Sequence, residues 1–331
     1  MLSKLNKSDW RVSTKWLLSL YLLLPIGLTF VLVDMLVFDS ALRDLHLPEF
    51  PATWAVWAIL FNTPHILASI ILMADPSYLE FHKKRLMGPS VVIVVGVLVT
   101  PIIFGYTVFH VGFALYTMLH VLSQQFGIAA MLLRAHQCVS YQIVRWTAVL
   151  ASSIVYFFLF SGNDWGSFKI INIPLTVLGA CAAALLLATM TVFAVFTYKK
   201  SAPGKIASYF FWSNVLMVWL SLLFWLMDYS IVTIMVPRAV HDLTAFSVYA
   251  VHDQNRNVDK PKNWFYQSLA FTRLPPLLLC PLLSVGLAYL LLRGDSYWVV
   301  TTNYILAVLH YYIESFAWKK NSVNRLSVRF C

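Results

Sequence analysis

Ten long apolar segments leave this 331-residue chain little choice of fold. They fall at residues 16–38, 52–74, 88–104, 106–133, 142–161, 174–197, 207–228, 229–251, 274–292 and 297–318. Each is long enough to cross a hydrocarbon core of about 30 Å as a helix. Inside a bilayer the backbone has no water to bond, so such segments cross as helices rather than as open strands. With 60% apolar and only 11% charged residues, the composition is that of a polytopic membrane protein. The expected fold is therefore all-α: one transmembrane helical bundle of about ten spans, a single domain over 1–331.

Loop charge gives the orientation. Lys4, Lys7, Arg11 and Lys15 precede the first segment, Lys83, Lys84 and Arg85 follow the second, and Arg134 and Arg145 flank the fourth connection. Lys199, Lys200 and Lys205 come next, then Arg256, Lys260, Lys262 and Arg273, and finally Lys319, Lys320, Arg325 and Arg329. The alternate loops hold only Arg43, Lys169 and Arg293, among several acidic residues. Basic residues on every second loop place both termini in the cytoplasm and require an even number of spans. The expected location is a bacterial-type inner membrane, crossed many times. The net charge of +10 is mostly this topological signal, with some attraction to anionic lipid headgroups, and calls for no nucleic-acid partner. The first segment is too long for a cleaved signal peptide and reads as a retained anchor. Cys138, Cys181, Cys280 and Cys331 have no paired spacing, which points to neither disulfides nor a thiolate metal site. Nothing in the sequence sets an oligomeric state.

Histidine is the residue out of place. His65 comes 13 residues after Ala52, His120 14 after Tyr106, His241 12 after Tyr229 and His310 13 after Tyr297. All four segments enter from the outer side, so the four imidazoles share a depth of roughly 20 Å. Imidazole is costly in hydrocarbon unless paired or ligating, and four at one level point to a shared polar centre, best explained by a metal.

Their neighbours add to the pattern. Asn62 lies one turn before His65, and Pro64 frees a backbone carbonyl and loosens the helix there. Gln124 follows His120 at i+4 with Gln125 beside it, which marks either a polar cavity or hydrogen bonding between helices. Glu314 follows His310 at i+4, a spacing that suits two ligands to one metal or a ligand and its hydrogen-bond partner. Ala239-Val240-His241-Asp242 recurs as Ala250-Val251-His252-Asp253. Asp242 could orient a histidine, ligate directly, or neutralise Arg238. The shallower pair, His252 and Asp253, marks a cytoplasmic mouth that could admit metal or protons, so His252 joins the candidate metal-binding residues. His110 reads as interfacial or structural, His82 and His136 as solvated loop histidines, and His46 carries no signal.

Imidazoles with a few carboxylates suit iron, zinc, copper or manganese. The chain has no glycine-rich phosphate loop, no His-Glu-x-x-His helix and no serine nucleophile elbow. Thr63-Pro64-His65, the mid-membrane His120 and His241, and the His310/Glu314 pair resemble the Brp/Blh family of integral-membrane β-carotene cleaving oxygenases. The likeness covers four short stretches; Ile66 stands where the family has glycine after Pro-His, and the carboxylate near His310 is a glutamate. The resemblance implies a non-haem iron held by histidines from separate spans, O₂ as oxidant, and a carotenoid or other lipid-like substrate arriving from the bilayer. The metal site is then expected at His65, His120, His241 and His310, with Asp242, Glu314 and Gln124 as candidate catalytic residues. Two other classes stay open: a haem-binding or quinone-linked redox protein, and a metal or proton transporter.

Overall fold

The computed structural model describes residues 10–47, 58–135, 138–161, 168–170, 172–201, 203–293, 297–319 and 322–331, and nearly all of them are helical. In chain order the helices are α1 (Thr14–Val37, with a 3₁₀ turn at Leu20–Leu22), α2 (Ala41–His46), α3 (Thr63–Leu72), α4 (Pro76–Phe104), α5 (Tyr106–Leu133) and α6 (Val139–Ser161). There follow α7 (Leu175–Ser201), α8 (Lys205–Leu226), α9 (Ser230–Asn257), α10 (Trp264–Ser268), α11 (Pro276–Leu292) and α12 (Tyr297–Ala317). Two-residue strands complete the set: β1 (Arg11–Val12) runs parallel to β4 (Arg329–Phe330), and β2 (Lys169–Ile170) antiparallel to β3 (Ile173–Pro174).

Seven of these helices are long and apolar enough to cross a membrane: α1, α4, α5, α6, α7, α8 and α9. Helices α3 and α11 are shorter apolar helices of 10 and 17 residues. The start of the second expected span, 52–57, lies outside the described residues. Immediately before α3 the chain makes a π-helical turn at Ala58–Asn62. Pro64 has no N–H to give to the carbonyl four residues earlier, and the wider turn beside it is the expected local response.

Helix α4 corrects the sequence reading. It begins at Pro76, so Lys83, Lys84 and Arg85 belong to its early turns rather than to a loop. A hydropathy window discards such residues, although lysine and arginine are good helix formers whose long stems reach water from a helix end. Asp75 caps α4: its Oδ1 accepts from the Ser77 N–H at 2.9 Å, and Pro76 sits at the first helical position, where its missing N–H costs nothing. The other carboxylate oxygen accepts from Arg256 Nε at 2.7 Å.

The chain divides into two compact units. The first comprises residues 1–17, 54–102 and 242–331. Here α3 packs on α11 and α12, around a core that includes Ala68, Ile71, Leu72, Tyr249, Leu279, Cys280, Ile313 and Phe316. Asn263 fastens the segment before α10 to this core, capping Phe265 N at 2.9 Å and donating to the Ile71 carbonyl at 2.5 Å. Asn255 donates to the carbonyls of Trp10 and Ser327, at 2.8 and 2.9 Å, beside the β1–β4 pair.

The second unit comprises residues 18–53 and 103–241. Gly105, at φ +82°, stands before α5 in a backbone conformation that a side chain would strain. Asp34 ties the α1–α2 turn, accepting from Leu42 N at 2.9 Å, Arg43 N at 3.0 Å and the Tyr229 hydroxyl at 2.8 Å. Tyr21 makes a buried polar knot with Gln125 and Asn214, both at 2.9 Å. Helices α6 and α7 pack closely where α7 is rich in small residues, and a Cβ added at Gly179 would lie 2.2 Å from the Phe158 ring.

Two outcomes follow. Gly179→Ala overpacks the α6–α7 contact and should cost about 1–3 kcal/mol, read as a lowered thermal midpoint in detergent. For Asp75, burial raises the carboxyl, but the hydrogen bonds from Arg256 and Ser77 outweigh it, and the net shift is downward. A lowered folded-state value adds stability above the unfolded carboxylate value of about 3.9, and that stability is lost as pH falls through the folded value. Asp75→Asn should therefore destabilise by on the order of 2 kcal/mol near neutrality. The gap between variant and parent should close in unfolding scans taken below about pH 4.

Candidate metal centre

Within the first unit, α3, α9 and α12 bring two histidines and two carboxylates together. His65 and Ser69 stand one turn apart on α3, Asp242 and Tyr249 lie on α9, and His310 and Glu314 stand one turn apart on α12. All six are buried. The imidazoles of His65 and His310 meet edge to face with centroids 4.8 Å apart, and each offers a ring nitrogen within 4.8 Å of the other's. His65 Nδ1 is 3.4 Å from Asp242 Oδ1, and His310 Nε2 is 3.9 Å from Glu314 Oε2. The Tyr249 hydroxyl donates to Glu314 Oε1, which fixes the carboxylate from its other side.

Ser69 decides how His310 carries its proton. The serine hydroxyl has one hydrogen and donates it to the Ile66 carbonyl at 2.7 Å. With that hydrogen given to Ile66, the contact with His310 Nδ1 at 2.8 Å is one in which the imidazole N–H donates. In the neutral ring this leaves the lone pair on Nε2, the nitrogen turned toward Glu314. A histidine whose Nδ1–H is held by a hydrogen-bond acceptor and whose Nε2 is oriented is the usual arrangement of a metal ligand. Donor atoms 2.0–2.2 Å from one ion stand roughly 3 Å apart at a right angle, so the two histidines need only a small closing movement.

In the second unit, His120 on α5 and His241 on α9 form another edge-to-face pair, with centroids 4.9 Å apart. His241 is buried and His120 half-buried. Gln124 follows one turn after His120, while Gln125 turns to the Tyr21 and Asn214 knot, so the two consecutive glutamines serve different purposes.

The two His-Asp repeats also differ. Asp242 lies beside His65, whereas His252 and Asp253 form a cluster of their own with Tyr78 and Tyr266. Both ring nitrogens of His252 are committed there, to Tyr78 at 3.0 Å and Asp253 at 2.8 Å, so in this structure it offers no lone pair to a metal. His82 departs from its expected place as well. It is 1% exposed on α4, bonded through Nε2 to Asn324 Oδ1 at 2.9 Å and flanked by the rings of Phe81 and Phe316, because the basic segment around it is helix and not loop. His110 is half-buried near the rings of Tyr106 and Phe109, His46 is exposed, and His136 lies outside the described residues.

Sequence reasoning passed over Ser69 and Tyr78, and it marked Tyr249 only as one of the residues that add polarity to its span. For Ser69 the signal was present, since it stands at i+4 from His65 in the same way that Glu314 stands from His310. No protein-family model, curated protein or solved structure matches the chain.

Ser69→Ala removes the acceptor of the His310 N–H in a buried setting. It should cost about 1–3 kcal/mol, seen as a lowered thermal midpoint, with Ser69→Thr recovering most of the loss.

Proposed function

We propose that this chain is a multi-pass membrane metalloenzyme that holds non-haem iron at its buried histidines and oxidises a lipid-like substrate with O₂. The ligand set in the first unit is His65, His310, Asp242 and Glu314. The observation that carries this reading is the orientation of His310 by Ser69, which leaves its Nε2 turned toward the Glu314 carboxylate, beside the ring of His65 in an apolar interior. Two imidazoles and two carboxylates form a donor set that iron accepts readily, as do zinc and manganese. The resemblance of the Pro-His and His/Glu stretches to the Brp/Blh oxygenases supports iron and a carotenoid-like substrate. Alternation of loop charge supports ten crossings, both termini on the cytoplasmic side, and an inner-membrane location.

When bound, the metal would supply a Lewis acid and a site for O₂. The chain's own groups do the rest. Ser69 orients the imidazole of His310, Asp242 lies beside that of His65, and Tyr249 holds Glu314 in place. The apolar residues of the α3–α11–α12 core, among them Ala68, Ile71 and Leu279, keep bulk water away. A lipid-soluble substrate would enter sideways between helices, since O₂ and lipids both partition into the bilayer.

The haem alternative fits this geometry less well. Two axial imidazoles must face each other across a macrocycle, whereas His65 and His310 meet edge to face with no room between them.

Elemental analysis and an absorption spectrum of the detergent-purified protein test the proposal. Iron should be present at about one per chain without a Soret band, and His65→Ala and His310→Ala should each lower it at least about fivefold. Both variants keeping the parent's metal content would overturn the reading. The same measurement on His120→Ala and His241→Ala reads what that histidine pair contributes to metal binding.

A further inference from the structure

The second His-Asp repeat has its own partners, and together they make up the parts of a different kind of site. Asp253 Oδ1 accepts from His252 Nδ1 at 2.8 Å, and its other oxygen accepts from the Tyr266 hydroxyl at 2.5 Å. With the Nδ1 proton committed to the carboxylate, His252 Nε2 carries the lone pair. In this tautomer the Tyr78 hydroxyl, 3.0 Å away, is the donor to it. The order is hydroxyl, base and orienting carboxylate, within hydrogen-bond reach throughout and buried: Tyr78 is 2% exposed, His252 and Asp253 1% each. Geometry of this kind, and not chain position, is what identifies an activated nucleophile.

Two further features lie beside Tyr78. Its side chain borders a groove of about 360 Å³, whose polar wall is Ser77, Arg256 and Ser327 and whose apolar wall is Phe81, Val323 and Leu326. The Arg256 guanidinium stands 4.8 Å from the centroid of the Tyr78 ring. It has five N–H donors, and its bonds to Asp75 and Ser77 use two of them. A guanidinium next to a nucleophile is a ready anchor for the oxygens of a phosphate, and the apolar wall suits an attached chain.

We propose that Tyr78, His252 and Asp253 form a second catalytic site that transfers the phosphoryl group of a phosphate ester bearing an apolar chain. As His252 Nε2 takes the phenolic proton, a bond forms from Tyr78 Oη to phosphorus. The phosphorus–oxygen bond to the alcohol breaks, and the departing alkoxide receives the proton from His252. Water then cleaves the tyrosyl phosphate by the reverse path, with His252 again as base. Tyr266 is a positioning residue that acts through Asp253. The site uses none of the residues assigned above to the metal, so the two readings stand or fall separately.

Reactivity of the hydroxyl is the first measurement. With 4-nitrobenzenesulfonyl fluoride as the probe and peptide mass spectrometry as the readout, Tyr78 should be sulfonylated at least about tenfold faster than Tyr209, although Tyr209 is 61% exposed. His252→Gln and Asp253→Asn should each slow labelling at position 78 at least about tenfold and leave Tyr209 unchanged; Tyr78→Phe removes the labelled peptide. Tyr266→Phe, which deletes one hydroxyl and keeps the ring, should slow it a few-fold. Turnover is the second measurement. 4-Nitrophenyl dodecyl phosphate in the detergent micelle should release 4-nitrophenolate at a rate that Tyr78→Phe abolishes. Bis(4-nitrophenyl) phosphate distinguishes a soluble ester from a lipid-borne one, and should react at least about tenfold more slowly. A Tyr78 no more reactive than Tyr209, labelling unaffected by both His252→Gln and Asp253→Asn, or ester turnover that survives Tyr78→Phe would overturn the proposal.

Discussion

An imidazole or carboxylate inside a chain this apolar is tolerable only where another polar group meets it, and that constraint shapes the interior of both units. Burying such a group without a partner costs several kcal/mol, so each one recruits neighbours, and the neighbours must lie on helices already held by apolar packing. In the first unit the result is a directed set of hydrogen bonds. A single hydroxyl proton on Ser69, given to the Ile66 carbonyl, dictates where His310 keeps its own proton. In the second unit, Asp34 answers the same demand by gathering two backbone amides and the Tyr229 hydroxyl.

Much of this was legible in the sequence because the relevant signals are local. Hydropathy located the apolar segments, of which, among the described residues, seven are helices long enough to cross a membrane, and α5 runs from Tyr106 to Leu133 as expected, since Gly105 starts it and no interior proline interrupts it. The i, i+4 spacing of His310 and Glu314 put both on one face of α12, and the structure keeps them 3.9 Å apart. Other features were hidden for physical reasons. The early turns of α4 are basic, so they read as a loop, and Tyr78 and His82 were lost with them. Ser69 was overlooked because a serine in a membrane helix is unremarkable by composition, although its spacing from His65 carried the information. The contrast between Gln124 and Gln125 depends on Tyr21, about a hundred residues earlier, and no local pattern reports such a pairing.

The repeated Ala-Val-His-Asp shows how one motif on one helix acquires two sets of partners. The motif supplies an imidazole followed by a carboxylate, and what packs against them does the rest. Asp242 meets the ring of His65 on α3, whereas Asp253 meets its own neighbour His252 and the hydroxyl of Tyr266. Tyr78 then completes a row that contains no second imidazole. Sequence identity over four residues therefore carried little functional information, and the packing partners carried most of it.

The π turn at Ala58–Asn62 gives the chain a means of adjustment. A wide turn accommodates one residue more than an α turn and rotates everything after it by about 100° relative to what came before. The face that His65 shows to α9 and α12 is thus set by the length of this turn as well as by the side chains of α3. Loss of a single residue there would turn His65 to another side of its helix axis. In this stretch the length of the chain matters more than the identity of its side chains, and divergence by substitution is open to it where divergence by deletion is not.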